Sequence, residues 1–132
     1  MIIPITGLYV GLTIALAIVL GMRVGLTRGA TGISIGDGGN EGLALKIRHH
    51  ANLLETAALT LLAMAIIEAN GASRWVLYTA GICYIASRIV HPFGLRAGDI
   101  THPLRPVGAA GSMLVMLSLG LIAIIQFFGG NV

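Results

Sequence analysis

The stretch Leu43 to Ala69, LALKIRHHANLLETAALTLLAMAIIEA, decides the fold. A membrane-crossing helix needs about 20 largely apolar residues, and this run supplies them. Yet Lys46, Arg48, His49, His50, Asn52 and Glu55 all sit in its first half. At about 100° per residue on a helix, Arg48, Asn52 and Glu55 (i, i+4, i+7) fall within roughly 60° of one another and form one polar face. His50 falls nearly opposite Arg48 on the same wheel, and His49 about a quarter-turn away. With a rise of about 1.5 Å per residue, Glu55 lies roughly 10 Å beyond Arg48, inside the hydrocarbon level. Ionisable groups at that depth usually face a bundle interior and mark a functional site. Glu55 is therefore expected to point inward.

The rest of the composition agrees with a membrane setting. The 132 residues are 56% hydrophobic and 10% charged, with a mean hydropathy of +0.92, too apolar for a soluble domain. The expected fold is an all-α integral membrane four-helix bundle, one domain over 1–132, with helices at about 2–22, 43–69, 73–95 and 106–128. The net charge of +3 is spread over segment ends without aromatic interleaving, which excludes a nucleic-acid partner and fits contact with membrane lipid. Cys83 is the only cysteine, so an intrachain disulfide is excluded; it is expected to be a buried, inert thiol. Adjacent His49 and His50 diverge on a helix and lack the i, i+4 spacing of a zinc pair, so no metal site is expected.

Outward from that run, Met1 to Met22 carries no charged side chain and reads as a retained first span whose Gly7, Gly11 and Gly21 would admit close helix contacts. The glycine-rich stretch Arg23 to Gly42 reads as a loop, tightest at Gly36-Asp37-Gly38-Gly39-Asn40, where residues tolerate positive φ. Beyond the short Asn70-Gly71-Ala72-Ser73 turn, Tyr84, Arg88 and His91 (i, i+4, i+7) share a face of the third helix. Two helices joined so tightly run antiparallel, which brings Glu55 and Arg88 to similar depth as an expected pair. A loop from Arg96 to Arg105, with Gly98, Asp99 and His102, leads to Pro106 in the first turn of the fourth helix. Gly108, Gly111 and Ser112 begin a small-residue face suited to tight packing.

Seven basic residues (Arg23, Arg28, Lys46, Arg48, Arg88, Arg96, Arg105) lie at or near the first and third connections, and Arg74 alone at the second. The excess predicts that those two connections are cytoplasmic and that both termini face the other side.

Arg48-x-His50-x-Asn52-x-x-Glu55, opening the second of four short helices, resembles the signature of the MAPEG family, the membrane-associated proteins in eicosanoid and glutathione metabolism. Gly-Asp-Gly-Gly at 36–39 followed by Leu45-x-x-Arg48-x-His50-Ala51-Asn52 is similar to the bacterial branch, as is Arg88-Ile89-Val90-His91-x-x-Gly94 followed by Arg105-x-x-Gly108. The resemblance implies a homotrimer in a bacterial inner membrane, with glutathione as substrate or ligand between protomers on the cytoplasmic side. It implies ligand-binding roles for Arg48, His50, Asn52, Glu55, Arg88 and His91, and a catalytic role for Arg105 in stabilising the glutathione thiolate. The implied activity is transfer of glutathione to, or reduction of, lipophilic small molecules arriving through the bilayer. In the eukaryotic conjugating members, tyrosines stand where this chain has Thr56, His91 and Leu95. A non-catalytic trimeric membrane protein, or a small-ligand or lipid binder, built on structural polar pairs stays open beside the enzyme, as does a proton or ion path through Glu55, Arg88 and His91.

Overall fold

A computed structural model describes residues 2–96 and 101–129, with four helices: α1 (Pro4–Thr31), α2 (Glu41–Ala69), α3 (Arg74–Gly94) and α4 (Leu104–Gly129). Gly98 and Asp99 lie outside the described residues. In cross-section the order round the bundle is α1, α2, α4, α3, with α3 on α4 the most extensive interface and α2 and α3 touching across the diagonal. Among the described residues, α1 does not reach α4.

The first helix is longer than the sequence suggests. It continues through Arg23, Gly25, Arg28 and Gly29 to Thr31, so the loop expected from residue 23 begins only at Gly32. Isolated glycines weaken a helix interior by roughly 1 kcal/mol each without ending it. What ends α1 is Gly32 at φ +70°, whose N–H donates to the Arg28 carbonyl in a left-handed cap. Arg28 Nη1 then donates to the carbonyls of Ile33 (3.1 Å) and Gly36 (2.9 Å), folding the connection back. Gly36, Gly38 and Gly39 all have positive φ, Asp37 Oδ1 accepts from Gly39 N, and Asn40 caps α2 by accepting from Leu43 N at 2.9 Å.

At the other end of the bundle, Glu68 performs a task the sequence does not signal. Its two carboxylate oxygens accept from the backbone N–H groups of Ile5 (2.9 Å) and Thr6 (2.7 Å). The first N–H groups of a helix have no partner within it, so the last turn of α2 caps the first turn of α1. Next to this joint Tyr9 crosses α3 where Gly81 has no side chain: a Cβ there would lie 2.1 Å from the Tyr9 ring. The close approach to α1 is thus made by Gly81. Gly7 and Gly11, read as contact positions, have nothing within 4 Å.

Helices α1, α2 and α4 are each long and apolar enough to cross a membrane. α3 falls outside that group because Arg74, Arg88 and His91 lower its hydropathy, yet its 21 residues span about 31 Å. It must return the chain, since Gly94 at its end meets the backbone of Leu104 and Arg105. The core of Tyr9, Met64, Ile67, Leu77, Tyr84, Val115 and Leu119 lies between the helices. The outward faces carry Leu12, Ile18, Leu59, Leu62, Leu117 and Ile125, as expected where lipid replaces water. Cys83, expected to be buried, is exposed on the protomer, in an apolar groove beside Trp75, Leu114 and Leu119.

Candidate functional site

Helix periodicity puts Arg48, Asn52 and Glu55 on one face, and the structure joins them. Arg48 Nη1 donates to Glu55 Oε1 at 3.1 Å and Nη2 to Asn52 Oδ1 at 3.3 Å. Asn52 Nδ2 returns a bond to the Arg48 carbonyl at 3.0 Å. The expected Glu55–Arg88 pair is not formed, because Arg48, seven positions earlier on the same helix, takes the carboxylate. Glu55 does not face the bundle interior either: the Arg48–Glu55 pair is 56% and 53% exposed and points out of the protomer.

Arg88 is buried at 4% exposure and bridges three helices. From α3, Nη1 donates to the Asn52 carbonyl of α2 at 3.2 Å. Nη2 donates to the Gly108 carbonyl and, at 2.5 Å, to Ser112 Oγ, both on α4. One turn deeper Tyr84 and Thr56 share a hydroxyl hydrogen bond at 3.3 Å. The Tyr84, Arg88, His91 face anticipated from spacing is buried throughout.

The small residues of α4 allow this. A Cβ on Gly108 would lie 2.6 Å from His91 Cα, and one on Gly94 would lie 2.1 Å from Arg105 N. The α3 and α4 backbones meet at these two glycines, which sets His91 beside Arg105. On the α2 side, His49 is buried with Nε2 3.0 Å from the Leu95 carbonyl, so that nitrogen carries the proton. His50 turns the other way, its ring against Gly21 of α1.

A cleft of about 430 Å³ results, lined by Arg48, Asn52, His91, Leu95, Arg105, Pro106 and Ala109. Of the residues singled out in the sequence, Arg48, Asn52, His91 and Arg105 meet there. Glu55 stands beside it, held by Arg48; Arg88 stands behind it, holding Asn52 in place; His50 lies away from it at α1. Two guanidinium groups, an amide and an imidazole at one open surface form a donor-rich site suited to carboxylates and thiolates. Among the described residues no cluster of three or more His, Cys, Asp or Glu suited to a metal ion occurs.

Residues 6–125 match the model of the MAPEG family. Proteins described as "Inner membrane protein YecN", from two strains of Escherichia coli, are each 36% identical over 62 residues, 47% of this chain and 47% of theirs. The chain thus spans about half the length of the curated relatives it matches. No solved structure gives a significant match. With a match that enters in the first turn of α1 and leaves in the last turns of α4, enclosing every residue of the cleft, this four-helix membrane protein belongs to the MAPEG family.

Proposed function

We propose that the cleft binds glutathione between protomers of a homotrimer and presents its sulfur to lipophilic electrophiles. The observation that carries this reading is the convergence of Arg48, Asn52, His91 and Arg105 on one open cleft. Arginine recognises a carboxylate through two parallel hydrogen bonds, and glutathione offers two carboxylates. Glu55 supplies the matching anion for its ammonium. A cation beside the sulfur favours the thiolate, and Arg105 is the cleft guanidinium without a carboxylate partner among the described residues. In the transfer step the thiol proton leaves to water, the thiolate forms a bond to the electrophilic carbon, and the leaving group departs with its electron pair.

The trimer is supported by depth. An ion pair more than half exposed on the protomer is costly against hydrocarbon, and a neighbouring copy would cover it. Placement in a bacterial inner membrane is supported by the relatives' description as inner membrane proteins, and the seven-to-one basic asymmetry supports both termini on the non-cytoplasmic side.

Arg105→Ala is expected to lower turnover of glutathione with an activated aryl chloride by at least about tenfold, the effect of one pKa unit on thiolate fraction. The same variant should keep the oligomeric state of the wild type on size exclusion. Undiminished turnover in Arg105→Ala contradicts the thiolate role. The role of Arg88 as a three-helix tie favours a second reading, a non-catalytic trimeric ligand or lipid binder. A wild type that binds glutathione yet is silent with several electrophiles selects it.

A further inference from the structure

The α1–α2 seam carries a second set of cationic and donor groups, away from the cleft. Glu68 meets Ile5 near one membrane boundary. About 30 Å of hydrocarbon at about 1.5 Å per residue places the other boundary near Gly25 of α1 and Arg48 of α2. The last turns of α1 and the first turns of α2 therefore stand at head-group level.

Lys46 Nζ donates there to Thr27 Oγ1 at 2.6 Å, and Thr27 Oγ1 donates to the Arg23 carbonyl at 2.8 Å. The ammonium is thereby fixed against α1 with two of its three donors unused among the described residues. Arg23, one turn before Thr27, is exposed, and its guanidinium makes no hydrogen bond among the described residues. Arg23, Thr27 and Val19 repeat at i, i+4 spacing and so share one face of α1. The acids nearest in sequence are engaged or displaced: Asp37 accepts from Gly39 N, Glu55 pairs with Arg48, and Glu41 begins α2 more than a turn from Lys46. Below Arg23 on the same face, Val19 is exposed and apolar.

Fixed positive charge, unused donors and apolar wall at that depth fit a particular class of molecule. Basic pockets between membrane helices on the cytoplasmic side hold anionic head groups. We propose that Arg23 and Lys46 bind the phosphate of an anionic glycerophospholipid whose acyl chains run down α1 past Val19. This site is independent of the glutathione cleft and survives the failure of that reading.

The test is native mass spectrometry of the full chain, delipidated in detergent and offered phosphatidylglycerol or phosphatidylcholine. Wild type should retain phosphatidylglycerol in strong preference, and Arg23→Gln/Lys46→Gln should reduce that preference roughly thirty-fold, the worth of two surface charges. Arg23→Glu alone, at an exposed helix position, should reduce it as well. Arg74→Gln, at the opposite boundary, should leave it unchanged. Retention by the double variant equal to wild type overturns the proposal, as does a preference lost equally in Arg74→Gln. Inorganic phosphate added at millimolar concentration should fail to displace the lipid; displacement would show a site for small anions and overturn the lipid assignment.

Discussion

Gly108→Ala is expected to force α3 and α4 apart and to lower the stability of the solubilised protein by about 3 kcal/mol, the upper end of what overpacking costs. The added Cβ would lie 2.6 Å from both Cα and Cβ of His91 and 2.8 Å from its N, so backbone meets backbone and no rotamer relieves the clash. Two other glycines on the same helix calibrate the effect. At Gly111 the obstacle is Ser87 Oγ at 2.4 Å, the tip of a side chain now donating to the Cys83 carbonyl; rotating it away limits the loss to about 1 kcal/mol, one hydrogen bond. Gly120 has nothing within 4 Å, and alanine there should stabilise the helix by up to about 1 kcal/mol. Thermal unfolding of the three variants in one detergent is expected to rank Gly108→Ala far below Gly111→Ala, with Gly120→Ala at or above wild type. Equal midpoints for the first and last would contradict the close α3–α4 approach on which the cleft depends.

Arg88→Leu should cost about 2–4 kcal/mol, because it removes a charged donor from acceptors on two helices at once. The Asn52 carbonyl and Ser112 Oγ lose a charged donor, and each buried hydrogen bond to a charged group is worth about 1.5–3 kcal/mol. Removing the buried guanidinium offsets part of that loss, since the group itself is expensive to desolvate. Arg88→Lys separates geometry from charge. A lysine is a point charge on a flexible stem and lacks the planar fork that reaches α2 and α4 together, so it should recover only about half the stability. Lysine equal to arginine in thermal midpoint would mean that charge alone matters and that Arg88 is no three-helix tie.

The parts of this arrangement that follow from one helix were legible in the sequence. Arg48, Asn52 and Glu55 repeat at helical spacing, so their common face needs nothing beyond the 3.6-residue turn, whereas the direction in which that face points, outward rather than inward, depends on the neighbouring helices. The common face of Tyr84, Arg88 and His91 was legible for the same reason, as was the small-residue face at Gly108 and Ser112; that the former is buried is seen only in the structure. What was not legible depends on partners from elsewhere in the chain. Arg88 bonds mainly to backbone carbonyls, which every residue possesses, and no side-chain pattern tells which carbonyl lies within reach. A carboxylate at similar depth suggested Glu55 as its partner, but Arg48 lies closer along α2. The extension of α1 to Thr31 was hidden by glycines at 25 and 29 that lower helix propensity without breaking the helix; the true stop is the positive φ of Gly32. Glu68 carries no motif, and its role appears only when the first turn of α1 is brought beside the last turn of α2.

The MAPEG assignment and the cleft geometry together make thiol binding the central claim. Calorimetric titration of the detergent-solubilised protein with glutathione tests it most directly. The expected result is saturable binding that weakens at least about tenfold in Arg48→Ala, through loss of one charge-assisted pair worth about 1.5–3 kcal/mol. Absence of heat and saturation in a wild type that is folded and oligomeric, or equal affinity in Arg48→Ala, would contradict it.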